Sequence, residues 1–212
     1  MRATSVVYID SHTSLKNLFT SITATAFEKM VSTLQNVRNV TSTVTVITAT
    51  KLYNELNKCL LKRILPDHKL ILDVVPDKAN FFEACGAIQA KMQVPNYMVW
   101  RPVSPFVSCQ AIEHCVHNVL TKKGNVAIPV REFSGFSSFP SGAVRLTASG
   151  QWTQNFIAFN DDFDFSEDAF CKQLVNKDTR IAVNLIETLD VTREKELTII
   201  EALADNLIGL EI

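Results

Sequence analysis

The chain has 212 residues, with 21 lysines and arginines against 22 aspartates and glutamates, 47% hydrophobic and 20% charged residues, a balance that excludes a disordered or fibrous protein. At this length one domain buries roughly 70% of the surface its unfolded form exposes, so no disulfide or structural metal is needed to hold it. A formal net charge of −1 offers no field to steer a polyanion, which argues against gripping nucleic acid as a main task.

The run from Met1 to Asp10 is too short in apolar residues for a signal peptide, and no stretch approaches the roughly 18 to 20 apolar residues of a membrane span. Five cysteines, Cys59, Cys85, Cys109, Cys115 and Cys171, are odd in number and scattered among apolar neighbours, which suits reduced, buried thiols in a cytoplasmic protein.

Periodicity alternates along the chain. Ser5 to Ile9 is a β-branched run, followed by a helical stripe of Leu15, Leu18, Phe19, Ile22, Ala26, Met30, Leu34 and Val37, which Ser11 or Thr13 can cap. Thr43 to Thr48 predicts a second strand, and Leu52, Leu56, Cys59, Leu60 and Ile64 a second helix ended by Pro66 and Asp67. Leu70 to Val75 predicts a third strand, and Asp77 caps a helix that turns Phe81, Cys85, Ile88 and Met92 inward. Tyr97 to Trp100 is the fourth strand. Its helix begins at the Ser104-Pro105 cap, is striped by Ile112, Cys115, Val116, Val119 and Leu120, and is closed by Gly124. Four strand–helix units in succession predict a mainly parallel sheet, because a parallel neighbour needs a crossover and each helix supplies one.

After Gly124 the pattern changes. Val126 to Val130 alternates, but Pro129 lacks an amide hydrogen, which predicts a sheet edge or a bulge. Ala143 to Ala148 and Trp152 to Phe159 flank Ser149-Gly150 and predict an antiparallel hairpin. Ser166 caps a short helix through Val175, Arg180 to Ile186 is a last strand, and Asp190 or Thr192 opens a final helix. With no linker, low-complexity segment or clear repeat, residues 1–212 read as a single three-layer α/β domain. Its mixed sheet comes from four β-α units, an antiparallel hairpin and a C-terminal α-β-α segment.

The six glycines leave the first strand–helix turn without one, and neither GxGxxG nor GxxxxGK[ST] occurs. Dinucleotide-dependent redox chemistry and P-loop hydrolysis are therefore disfavoured, and no cofactor is expected. The first strand ends in Asp10-Ser11-His12-Thr13-Ser14, where an acid and hydroxyls could hold a divalent metal or supply a nucleophile. This stretch resembles the Asp-x-Ser-x-Ser motif of von Willebrand A domains, with His12 at the middle serine. It also resembles the Asp-x-Asp start of haloacid-dehalogenase-like phosphatases, with His12 at the second aspartate. Asp161, Asp162 and Asp164 follow a predicted strand, where such phosphatases keep their last metal carboxylates; the resemblance implies a metal-dependent hydrolase using Asp10 with Asp161 or Asp162. A helix-capping turn and a solvated acidic loop suit the same residues better.

His114 and His117, three apart on the fourth helix beside Glu113, could reach one metal ion, yet both fall on its polar side. Cys85 lies on an apolar stripe, which suits core packing better than a thiolate nucleophile. Lys58, Lys62, Arg63 and Lys69 cluster without interleaved aromatics, so a solvated face accounts for them. The loop with Phe133, Phe136 and Phe139 among serines and glycines follows directly from Pro129 and fits neither period, which suits an interaction loop as well as a loop folded on its own core. Lacking a catalytic motif, the sequence points to a non-catalytic assembly subunit that binds protein, above all copies of itself, with a composition that would suit a viral or phage structural component; a nucleic-acid-associated module is a weaker reading.

Overall fold

Thr4–Ile9 (β1) is apolar on both faces, and a strand with no polar face has to be covered on both sides. Its side chains divide by alternation: Val6 and Tyr8 enter one core, Val7 and Ile9 the other. In the computed structural model, which describes residues 1–9, 30–48, 68–72, 75, 79, 81–102, 106–131, 156–166, 179–183, 186–189, 198, 199 and 202, β1 is central. Val44–Thr48 (β2) and His68–Leu72 (β3) extend the sheet on one side. Asn96–Trp100 (β4), Phe156–Asn160 (β6), Val126–Arg131 (β5) and Arg180–Val183 (β7) extend it on the other. The order is β3-β2-β1-β4-β6-β5-β7, all parallel except β6, which runs against both β4 and β5. The fold is α/β with a mainly parallel mixed sheet, as the alternating periods predict.

The helices cover both faces. A helical segment over residues 30–36 (α1) and Cys109–Leu120 (α3) pack on one side, burying Met30, Val31 and Leu34 beside Ile112, Cys115, Val116 and Val119. Phe81–Met92 (α2) covers the other with Phe81, Ala84, Cys85 and Ile88, joined by Phe163. Three aromatic contacts lock β6 into place: Trp100 edge-on to Phe156 at 5.9 Å, Tyr97 stacked on Phe159 at 4.7 Å, and Phe165 edge-on to Phe159 at 4.8 Å.

Several expectations change. β5 lies inside the sheet. Its registered pairs with β6 end at Ala127, and residues 128–131 pair with β7, so Pro129 sits where the strand parts from β6 and no donor is needed. β6 is bonded on both sides, to β4 and β5; the predicted hairpin partner and turn, within 143–155, lie outside the described residues. The third strand begins two residues earlier than predicted, at His68, because its register is set by β2. α3 starts at Cys109, with the Ser108 hydroxyl accepting from the Ala111 amide at 3.2 Å, and not at Ser104-Pro105. It ends in Thr121 and Lys122, the latter at φ 57°, before Gly124 is reached. The apolar stripe from Leu15 to Ala26, the second helix, the Asp77 cap, the helix after Ser166 and nearly all of the final helix fall outside the described residues.

Candidate functional site at the carboxyl edge

In an open parallel sheet a crevice forms outside the carboxyl ends of neighbouring strands whose connections leave in opposite directions. The chain leaving β1 goes to β2 on one side, and the chain leaving β4 crosses through α3 to β5 on the other. The crevice therefore lies between the ends of β1 and β4. Val7 is level with Trp100, so Tyr8 and Ile9 run on beside Arg101 and Pro102.

Arg101, the first residue after β4, is half-buried, and its guanidinium carbon lies 6.0 Å from the ring centre of Phe81. Phe81 opens α2 and packs at 6.3 Å from the Tyr8 ring and 6.2 Å from Phe82. Since α2 leads into β4 and runs opposite to it, its amino end, with the positive pole of its dipole, faces the same edge as Arg101. The charge reaches one turn into the helix: burial pushes the Cys85 thiol well up, and Arg101 pulls it partly back. On the opposite face the amino end of α3 is closed, because Ser108 donates its amide to Glu187 Oε1 at 3.1 Å and its hydroxyl caps the first turn. Buried Thr48 ends β2 at this same edge. A cation beside aromatic rings can clasp a phosphate or carboxylate in two hydrogen bonds while a planar ring lies against the aromatics.

The residues singled out from the sequence are distributed differently. Asp10 lies outside the described residues, but Ile9 before it ends β1 at the carboxyl edge. Asp161 and Asp162 are exposed in a turn at the opposite edge, where the Asp161 amide donates to the Pro95 carbonyl at 3.1 Å. Because β6 runs antiparallel, its carboxyl end meets the amino end of β4, leaving the length of the sheet between Asp161 and the end of β1. Asp164 accepts from both the amide and the hydroxyl of Ser166 at 2.9 Å, and these donors hold its carboxyl below the usual value. His114 and His117 are exposed on α3, and the described residues contain no group of three or more metal-ligating side chains. Pro129 is buried on the stretch of β5 that pairs with β7; Phe133, Phe136 and Phe139 fall outside the described residues, as do Lys58, Lys62 and Arg63. Cys85, Cys109 and Cys115 are free thiols, two of them buried. No helix among the described residues is long and apolar enough to cross a membrane.

Arg101, Phe81 and Tyr8 were not singled out from the sequence. One signal was available: Arg101-Pro102 directly follows a wholly apolar strand, so a cation stands at the carboxyl end of a strand predicted to be parallel.

No family model and no curated protein sequence matches the chain. Solved structures match its fold. They include 4-diphosphocytidyl-2C-methyl-D-erythritol synthase from Anaerococcus prevotii, at 10% identity and TM-score 0.63 over 96% of both chains. CMP:2-keto-3-deoxy-manno-octonic acid synthetase complexed with CTP matches at 12% identity and TM-score 0.59, over 96% of this chain and 99% of the other. A nucleotidyl transferase from Methanothermobacter matches at 12% identity and TM-score 0.63, over 97% and 99%. The chain thus shares its overall fold with these structures. Because these neighbours are enzymes, they overturn the reading of the chain as a non-catalytic assembly subunit or virion component, and with it the lean away from catalysis. The physical reason is that a carboxyl-edge crevice is assembled from the ends of separate strands, so it leaves no contiguous motif to find.

Proposed function

We propose that the chain is a nucleotidyltransferase-type enzyme that binds a nucleoside triphosphate, with cytidine the first base to test, in the crevice between the ends of β1 and β4. The observation that carries this reading is Arg101, which stands at the topological switch point beside the amino end of α2, where two sources of positive potential meet. The neighbours that act on cytidine nucleotides support the choice of base.

In the reaction, an acceptor oxygen attacks the α-phosphorus and forms a new P–O bond. The bond from that phosphorus to the bridging oxygen breaks, and pyrophosphate leaves with the electron pair. Charge builds on the phosphate oxygens, and a fixed guanidinium lowers the barrier to the extent that it meets this charge more closely than the ground state. Arg101 takes that role here. Tyr8 and Phe81 hold the arginine's side of the crevice in place, and Asp10 to Ser14, which continue from β1, supply further polar groups by sequence.

Calorimetric titration with CTP tests this. The parent protein binds CTP, and Arg101→Ala weakens binding at least tenfold without a change in melting temperature, whereas Asp161→Asn at the far edge changes neither. Failure of CTP, ATP, GTP and UTP alike to bind the parent would overturn the reading.

A further inference from the structure

The opposite edge of the sheet holds a cavity of about 520 Å³ that the proposed reaction does not use. It opens between the end of α1 and the start of β2. Val31, Leu34 and Val37 contribute apolar lining, while Arg2, Arg38 and Ser42 bring two cations and a hydroxyl to it. The volume lies within the range that takes a small organic ligand.

Its wall is held by the backbone. Residue 39 turns through a left-handed conformation, φ 63°, which sends the chain back along β1. The Ala3 amide then donates to the Asn39 carbonyl at 2.8 Å and the Thr41 amide to the Ala3 carbonyl at 2.9 Å, while Ser5 takes the Thr41 hydroxyl as acceptor at 3.2 Å. From the other side, Glu113 Oε1 on α3 accepts the backbone amide of Arg38 at 2.9 Å. The Glu113 carboxylate is thereby turned to the main chain. Among the described residues neither the Arg2 nor the Arg38 guanidinium is paired with a carboxylate, and both are exposed. A wall already held in place loses little entropy when a ligand enters.

We propose that this amino-edge cavity binds a small amphipathic anion, with Arg2 and Arg38 meeting its charged head and Val31, Leu34 and Val37 its apolar body. One guanidinium can grip an oxyanion with two parallel hydrogen bonds, and a second beside it supplies the charge that separates an anionic ligand from a neutral one of the same shape.

Two fluorescent probes of nearly one shape test this on the full chain: 8-anilinonaphthalene-1-sulfonate, which carries a sulfonate, and N-phenyl-1-naphthylamine, which does not. The sulfonate saturates one site per chain and binds at least tenfold tighter than the neutral probe. The double variant Arg2→Gln, Arg38→Gln removes that tenfold advantage and leaves the neutral probe unchanged. Ser42→Trp, which fills the cavity from its polar side, displaces both. Arg101→Ala, at the other edge, leaves both titrations as in the parent, so failure here and failure of the proposed nucleotide site are separate results. Equal binding of the two probes, or a sulfonate titration unmoved by the double variant while its melting temperature matches the parent, would overturn the proposal.

Discussion

Tyr97 shows how much one side chain can join. It is fully buried and stacked on Phe159, while its hydroxyl accepts the Val94 amide at 2.9 Å and donates to the Gln89 carbonyl at 3.1 Å, tying the exit of α2 to the start of β4. Tyr97→Phe keeps the ring but leaves the Val94 amide without its acceptor, and chemical denaturation should register a loss of about 1 to 3 kcal/mol. Gln89 fastens the neighbouring turn from the same helix, donating to the carbonyls of Asn160, Asp161 and Phe163, each at 3.1 Å. The thiols belong to this scale as well. Cys85 and Cys115 are fully buried and burial pushes both well up, so a maleimide should modify them slowly in the native protein and rapidly in denaturant. Fast native labelling of either would contradict the packing described for the helices that carry them.

Among the elements, α3 has the most legible ends. Its start is set by Ser108, and Ser108→Ala should cost about 0.5 to 2 kcal/mol, read from urea midpoints at constant slope. The other end stops through Lys122 in the left-handed region, where a side chain is disfavoured; Lys122→Gly should raise stability by up to about 1 kcal/mol. Gly124 beyond it has a separate task. A Cβ there would stand 3.1 Å from the Thr179 methyl group and 3.3 Å from the Val126 carbonyl, so Gly124 permits close approach at the entry to β5 and is not the helix terminator that its position suggests. The sequence predicts the start at Ser104-Pro105, and local chemistry alone does not point to Ser108. Packing does: Ala111, Ile112, Cys115, Val116 and Val119 must face the sheet, and Glu187, distant in sequence, adds a second acceptor at Ser108.

At the level of the whole molecule, stability should depend on alkali. Cys85, Cys109, Cys115 and Tyr97 all hold their protons more firmly when folded, because burial disfavours the charged form. Unfolding then releases protons. The stability present below the ordinary thiol value, near about 8.5, is therefore lost progressively as pH rises through the higher folded values. Thermal melts between pH 7 and pH 11 should show a falling midpoint, with a flatter fall in a Cys85→Ala, Cys115→Ala variant. Hydrogen exchange should follow the sheet. The amides of β1, β4 and β6, central and buried, are the slowest, and those of half-exposed β7 exchange first among the strands on that side of β1.

The alternation of apolar strands with helical stripes was enough by itself to determine an α/β fold with a mainly parallel sheet, because hydrophobic period is a local property that every strand and helix carries in its own residues. The β-branched β1, the apolar stripe of α3 and the burial of Cys85 and Cys115 were legible for the same reason, whereas the ends of α3 were not. Strand order was not, since β6 entering antiparallel between β4 and β5 is a matter of which edges meet in space, and Pro129 read as an edge signal until β7 was found beside it. The candidate site depended on that order most of all. Asp10 and Asp161 look like partners only if both strands run the same way, and the reversal of β6 sends Asp161 to the far edge. Arg101, Phe81 and Tyr8 come together at the carboxyl edge because three separate elements converge there, and convergence is decided by tertiary packing, which leaves no spacing in the chain to read.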